Sequence, residues 1–569
     1  MPPTTELAQH ALLQQTNFTW FDWSIVILYP LISLGIGLYV WRLIKNMKDF
    51  VAAGQGLGVW LGIATMTGTE LGLITVMYSA QKGFTGGFAA FHIALVAGIV
   101  TFITGMTGFI VYPLRKMQVL TIPEFYERRF DRKTRVLGGI MMAFGGILNM
   151  GLFLKVGSMF IVGITGLSMH SMALNYVMVF LITLVLIYTS LGGMVSVVIS
   201  DYVQFVVLSF GLLLCTFLSI RFLGWSNIFD TVLANMHRGG FDPTVAESGF
   251  GWEYIIWMAF LGLVSCGVWP TSVARALAMD SPKAVKRQYM LASISYMIRF
   301  LIPYFWGICA LVFILQHAGM RTLFFPAGFP APDTLPDGVH ALDNLYAMPV
   351  FLGQILPAGL IGVITAGMIA AFMSTHDSYL LCWASVLTQD VVAPIYERRG
   401  HRLTASARII LSRCFIVAIG LYVLYWGLIY EGKDDIWDYM AVTGAIYFTG
   451  AFALLLGGLY WKRASSTGAF LALLAGCVAI LGLSPVQDWI TQLLSSLAGT
   501  NPALLDWFPG THVAQLTQQG RTVTRLVFEV SSARVGLFTI ACTIVTMVAG
   551  SLLFPDPPRK SHGKQTGQD

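Results

Sequence analysis

Thirteen mostly apolar stretches run through this chain, over 23–44, 57–80, 88–113, 136–163, 172–191, 195–220, 252–273, 289–316, 357–388, 409–430, 437–460, 466–486 and 534–554. Each is close to the roughly 20 helical residues that cross a bilayer core. No other feature limits the fold as much. Charged residues fill only 11% of the 569 positions and hydrophobic ones 56%, whereas soluble domains carry about 25% charged. A soluble chain of this size has too few charges to cover its surface. The reading is an all-α, polytopic membrane bundle of about 13 transmembrane helices. A soluble enzyme, a nucleic-acid binder and a secreted disulfide scaffold are excluded. The seven cysteines lie in or beside apolar runs with no metal-ligand spacing, as small hydrophobes do. The first twenty residues lack a basic stretch followed by a cleavable apolar core, so no signal peptide is expected.

The loops suggest an orientation. Arg42, Lys45 and Lys48, the group from Arg115 to Arg135, the group from Arg275 to Arg287, the group from Arg398 to Arg408, Lys462, Arg463, Arg559, Lys560 and Lys564 fall on one side. Lys82, Arg221, Arg238, Arg321, Lys433, Arg521, Arg525 and Arg534 fall on the other. Basic residues collect on the cytoplasmic side, so the N-terminus is expected outside and the C-terminus inside. The net charge of +6 then serves topology and points to no polyanion. The stretches 221–251, 317–350 and 487–533 read as polar outer loops, and no soluble domain is expected at either end.

Two spans are interrupted. The one over 57–80 carries Gly62, Gly68 and Gly72 with Thr65, Thr67, Thr69 and Glu70, too polar for a lipid-facing helix. The one over 252–273 carries Gly267, Trp269 and Pro270, and proline cannot continue the helical ladder. The two lie five spans apart and so run in opposite directions. A break repeated in two halves of opposite topology marks an inverted-repeat transporter. The plainer alternative is a proline kink beside a close glycine contact.

A third span holds Ala371, Ser374, Thr375, His376, Asp377 and Ser378. Positions i, i+3 and i+4 share a helix face, so the Ala371 carbonyl and the Ser374 and Thr375 hydroxyls gather there. Hard neutral oxygens suit a small hard cation. One face offers too few, and an unwound 57–80 span supplies the carbonyls of Ala64 and Thr67. The plainer reading has Ser and Thr bonding back to their own helix. Glu70, Lys155, Asp201, Arg299 and Asp377 are ionisable within spans and are functional candidates on that ground. Arg413 reaches the surface by snorkelling.

The segment from Leu191 to Gln204, the segment from Met373 to Ser378, the loop from Arg275 to Ser281 and the stretch from Leu456 to Arg463 resemble, in that order and spacing, the sodium/solute symporter family. The resemblance implies a LeuT-like fold of inverted five-helix repeats. It divides the chain into an extracellular segment 1–22, a leading helix 23–44, repeats over 57–220 and 252–460, C-terminal helices within 466–554 and a cytoplasmic tail 555–569. It implies a main sodium site at Ala64, Thr67, Ala371, Ser374 and Thr375. It also implies a second cation site at Asp201, Asp377 and Ser378. Substrate candidates are Glu70, Lys155, Trp269 and Arg299.

Lys155 and Arg299 would place two cations near a central cavity, and burying them unpaired is costly. Either Glu70 and an acidic residue of 357–388 neutralise them, or an anionic substrate does; arginine suits a carboxylate. The function expected is therefore sodium-coupled import of a small organic solute, an organic anion, by alternating access. The alternatives are a proton-coupled relative, a neutral sugar, polyol or vitamin-like substrate, and a transporter-like sensor. No enzymatic activity and no cofactor beyond the coupling sodium ion are expected. Expected partners are sodium, the solute and membrane lipid, with no nucleic acid. The chain is expected as a monomer or weak homo-oligomer in the plasma membrane, multi-pass, of a bacterium.

Overall fold

The computed structural model describes residues 14–40, 55–167, 171–245, 248–330, 341–430, 435–498, 511–518, 521–528 and 530–557. Arg42, Lys45, Lys48, Lys433, Arg559, Lys560 and Lys564 lie outside them, as do 1–13 and 558–569 of the expected terminal segments. The helices are α1 (Trp20–Val40), α2 (Val59–Glu70), α3 (Leu73–Gly86), α4 (Phe91–Thr107), α5 (Arg132–Met150), α6 (Phe153–Thr165) and α7 (Ser171–Leu223). They continue as α8 (Gly251–Val268), α9 (Pro270–Leu277), α10 (Pro282–Gln316), α11 (Leu360–Val386), α12 (Ala405–Ile429), α13 (Ile436–Tyr460), α14 (Ser466–Ala475), α15 (Ser484–Ala498) and α16 (Ser532–Leu553). Phe102, Phe210, Leu213, Phe217, Ile410, Leu421, Phe538 and Val545 are exposed. Such an apolar outer surface suits hydrocarbon rather than water.

Residues Ser171–Leu223 are helical throughout, yet they form two arms. Met178 packs on Gly427 and Leu186 on Gly420 of α12. Leu208 packs on Gly367, and Gly211 on Ile364, of α11. The start of α12 meets the end of α11, where Ser412 Oγ donates to Thr388 Oγ1 at 3.0 Å, so α11 and α12 run in opposite directions. The first arm is antiparallel to α12 and the second antiparallel to α11. The stretches 172–191 and 195–220, expected as separate spans, thus lie in one helical run whose two ends pack on different helices.

Both expected breaks are present. α2 ends at Glu70, Leu71 leaves the helical region (φ −91°, ψ 57°), and α3 starts after Gly72. α8 ends at Val268, Trp269 is extended (φ −63°, ψ 117°), and Pro270 opens α9. Proline fits the first helical turn, where its missing N–H costs nothing, and the residue before it is pushed out of the helical region. The α3 segment packs tightly on α10: a Cβ on Gly83 would strike the Tyr304 carbonyl, and one on Gly307 would strike that of Ala80. Only glycine permits such approach.

The expectations for 466–486 and 487–533 need correction. The helical turns of Ser466–Gly482 bend by 77° into Ser484–Leu494, because Pro485 can start a helix but not continue one. The 487–533 stretch holds α15 and an antiparallel hairpin, β1 (Thr511–Gln518) and β2 (Arg521–Phe528), paired from Thr511↔Phe528 to Gln518↔Arg521. Three basic residues assigned to loops are also buried within helices: Lys82, Arg115, which lies in the short helix Val111–Lys116, and Arg275. Lys82, 8% exposed, reaches Asp435 and Asp438 at 3.0 and 2.9 Å. Arg275, 1% exposed, lies inside α9.

Candidate transport site

Glu70 is the last residue of α2 and sits at the first break. Its Oε1 accepts from Thr271 Oγ1 at 3.0 Å and Ser272 Oγ at 2.6 Å, both in the first turn of α9. A helix N-terminus favours an anion, so the second break holds the carboxylate exposed by the first. Its Oε2 accepts from Arg299 Nη1 at 3.0 Å. The Arg299 guanidinium also lies over the rings of Tyr296 and Phe300, at 3.9 and 4.5 Å from their centroids.

A cavity of about 130 Å³ opens beside this pair. Glu70, Trp269, Ser272, Arg299 and Thr375 line it. So do Tyr78 and Trp437, whose rings are 4.7 Å apart. Also on its wall, Trp269 Nε1 donates to Tyr379 Oη at 2.9 Å, and the Trp383 ring lies 6.3 Å from that of Trp269. Two aromatic pairs thus border the cavity. Asn149 also lines it; its Nδ2 donates to Met440 O and Thr443 Oγ1, while its buried Oδ1 has no hydrogen-bond partner among the described residues.

Lys155 does not line this cavity. It is in α6, and its Nζ donates to the Tyr430 carbonyl at 2.6 Å, at the end of α12. The expected pair of uncompensated cations is therefore absent from the cavity: Arg299 has Glu70, and Lys155 is elsewhere. Apolar runs show that a lysine lies in a span, but not which neighbour its flexible stem reaches.

The residues expected to hold sodium are on α2 and α11, two helices that meet at Thr69 and Thr375. Ala64, Thr67, Ala371, Ser374 and Thr375 are all buried. Thr375 Oγ1 donates to the Thr69 carbonyl at 3.3 Å, and Ser374 Oγ donates to Asp201 Oδ1. A Cβ on Gly72 would strike Thr375 Oγ1, which is why the break approaches α11 through a glycine. The unwinding falls later than Ala64 and Thr67. The Thr67 carbonyl still accepts from Leu71 N at 2.8 Å, and the Thr67 hydroxyl pairs with Ser295 Oγ at 2.8 Å. A carbonyl in a helix keeps a second lone pair for another ligand.

Next to this point lies a second buried cluster. Asp201 Oδ2 accepts from Thr65 Oγ1 at 2.6 Å and Thr69 Oγ1 at 3.2 Å. Arg275 Nη2 lies 3.7 Å from the same oxygen and donates to Ser378 Oγ at 2.6 Å. Ser378 Oγ is 3.1 Å from Asp377 Oδ1. The structure thus brings Asp201, Asp377 and Ser378 together, and adds Arg275, Thr65 and Thr69. The threonines were legible as an i, i+4 pair on the broken helix. Arg275 was taken as a topological charge, because nothing in a sequence distinguishes the last turn of a short helix from a loop.

A sequence model of the sodium:solute symporter family matches residues 50–476. The chain belongs to that family. The sodium/glucose cotransporter of Vibrio parahaemolyticus is 23% identical over 90% of this chain and 94% of its own length. The sodium/sialic acid symporter NanT of Aliivibrio fischeri is 24% identical, over 84% and 90%. The sodium/proline symporter of Staphylococcus aureus (strain Newman) is 21% identical, over 83% and 87%. A solved Na+-coupled sialic acid symporter, substrate-bound and outward-open, superposes with a TM-score of 0.69 at 17% identity, covering 95% of this chain and 99% of that one. At that identity the likeness speaks for the fold, which is the LeuT-like one. As a sodium:solute symporter this chain is a multi-pass membrane transporter and not an enzyme, and sodium is the coupling ion of its family.

Proposed function

We propose that this symporter imports a small polar solute of zero net charge, using the cavity between the two helix breaks. The Glu70–Arg299 pair carries this reading. The cavity's cation has its own carboxylate, whose second oxygen is held by Thr271 and Ser272. An added anion would have to compete with Glu70. A neutral or zwitterionic solute meets donors, acceptors and aromatic faces without leaving a charge unpaired. This reading replaces the organic anion expected from Lys155 and Arg299; Glu70, Trp269 and Arg299 remain its substrate contacts. The Lys155→Gln variant is accordingly expected to keep its uptake, with a KM within about twofold of the parent. A large loss in that variant would revive the anion.

Sodium is placed between α2 and α11, on the carbonyls of Ala64, Thr67 and Ala371 and the hydroxyls of Ser374 and Thr375. The Thr375–Thr69 contact supports this, since it ties the α11 hydroxyls to the broken helix. Holding the two helices together orders the break beside the solute, so each ligand raises the other's affinity. The orientation proposed is N-terminus out, in a bacterial inner membrane. The face carrying Arg128, Arg132, Arg135 and Arg408 is then cytoplasmic. The experiment is a thermal-shift screen of the purified chain against sugars, polyols, amino acids and carboxylates, with sodium or potassium. Stabilisation by a neutral or zwitterionic compound in sodium alone is expected. A hit on a carboxylate of net negative charge would reverse the substrate reading, and a hit that is equal in potassium would reverse the coupling.

A further inference from the structure

The cavity between the two breaks offers a solute fewer hydrogen-bond donors than its polar lining implies. Five hydroxyl side chains on its wall spend their protons on the protein itself. Thr69 donates to Asp201, Thr75 to the Glu70 carbonyl, Thr101 to the Ala97 carbonyl, Ser272 to Glu70 Oε1 and Thr375 to the Thr69 carbonyl. A hydroxyl has one proton to give. Tyr296 Oη, 3.3 Å from Ser272 Oγ, is therefore the donor of that pair. The indole N–H groups are engaged too, that of Trp269 with Tyr379 Oη and that of Trp437 with Met258 Sδ at 3.3 Å. Two lining residues differ. Arg299 Nε, a donor, and Asn149 Oδ1, an acceptor, are buried without a hydrogen-bond partner among the described residues. Donation to the Met440 carbonyl fixes the Asn149 amide in this orientation, since a flipped amide would set oxygen against oxygen. Much of the remaining wall is apolar or aromatic, with Ile74, Leu261, Phe300 and Phe448 beside Tyr78 and Trp437.

These features sort solutes by chemistry. A sugar or polyol carries a hydroxyl on nearly every carbon, and each one buried without a partner is costly. A zwitterion needs a cation for its carboxylate and an anion for its ammonium, yet Arg299 and Glu70 already hold each other. A flat ring with one amide-like edge asks for one donor, one acceptor and apolar cover for its faces. Aromatic side chains supply that cover by stacking. We propose that the solute is an uncharged N-heterocycle with a ring N–H and a ring carbonyl, of the nucleobase or lactam type. Arg299 Nε serves its carbonyl, Asn149 Oδ1 serves its N–H, and Tyr78 and Trp437 cover the ring. The proposal rests on the uncharged reading above and narrows it.

The test is a thermal-shift screen of the purified full-length chain in sodium. The probes are uracil, thymine, hypoxanthine and 2-pyridone as heterocycles, glucose and myo-inositol as polyols, alanine and proline as aliphatic zwitterions, and succinate as an anion. A rise in melting temperature with a heterocycle and with none of the others is expected. A rise with a polyol or an aliphatic zwitterion, and none with a heterocycle, would overturn the proposal and leave the uncharged reading intact. A rise with succinate would overturn that reading itself. No rise with any heterocycle also overturns the proposal, since all four carry the edge it names. Trp437→Leu keeps apolar bulk but loses the stacking face. Titration calorimetry with the heterocycle that binds is expected to show a Kd raised about 5- to 150-fold in that variant, the worth of one stacked ring. An unchanged Kd in the folded variant would remove the aromatic cover and the proposal with it.

Discussion

Replacing Ser374 and Thr375 together by alanine is expected to abolish sodium-stimulated uptake while leaving the protein folded. Thr375 reaches the Thr69 carbonyl of α2, and Ser374, one residue earlier on α11, reaches Asp201 of α7. A hydrogen-bonding dipole on a charged group is worth about 1.5–3 kcal/mol. Losing two removes about 3–6 kcal/mol from sodium binding, or about 10²–10⁴-fold in affinity at 1.4 kcal/mol per decade. Alanine keeps the backbone but also removes the Ser374 hydrogen bond to the buried Asp201, so stability in the absence of sodium should fall by about 1.5–3 kcal/mol. The measurement is solute uptake into proteoliposomes across a range of sodium concentrations. An unchanged half-saturating sodium concentration in the double variant would refute the site.

Glu70→Ala is expected to be the most damaging single change in the cavity. It strands Arg299, whose side chain is 9% exposed against 12% for Glu70, and removing one partner of a buried pair costs about 3–5 kcal/mol. It also frees Thr271 and Ser272, and so unties the first break from the second. The neutral pair Glu70→Gln with Arg299→Gln keeps hydrogen-bonding groups and strands no charge. The double variant is expected to be more stable than the sum of its singles predicts, by about 0.5–3 kcal/mol of coupling. Its uptake should still fall, because the carboxylate no longer anchors the start of α9. Thermal melts of the four proteins in detergent give the cycle. Strictly additive losses would mean that the pair does not neutralise the cavity, and would remove the main support for an uncharged solute.

How far the sequence could be read depended on the kind of interaction. Pro270 and Gly72 act on their own backbone, through a missing N–H and a missing Cβ, so both breaks were legible as positions along the chain. The polar face of Ala371, Ser374 and Thr375 was legible for the same reason, since helix periodicity alone aligns them. Arg275 and Lys82 were misread as loop charges. Their burial depends on partners more than 70 residues away, Asp201 for one and Asp435 and Asp438 for the other. The hairpin of β1 and β2 was missed because a long polar stretch between apolar spans resembles any loop.

Apolar length fixed the membrane, and proline and glycine fixed the approximate place of each break, because these follow from water's exclusion from hydrocarbon and from local backbone sterics. The amino-acid order also limited the actors to a few ionisable residues within spans, Glu70, Lys155, Asp201, Arg299 and Asp377 among them. Tertiary structure decided which of them meet. It paired Arg299 with Glu70, sent Lys155 to the end of α12 and brought Arg275 to Asp201. The reason is geometric. A helix that is apolar nearly all round shows where along its axis a charge sits but not the direction in which it points, and in a low-dielectric interior direction decides whether a charge binds a ligand or a neighbour.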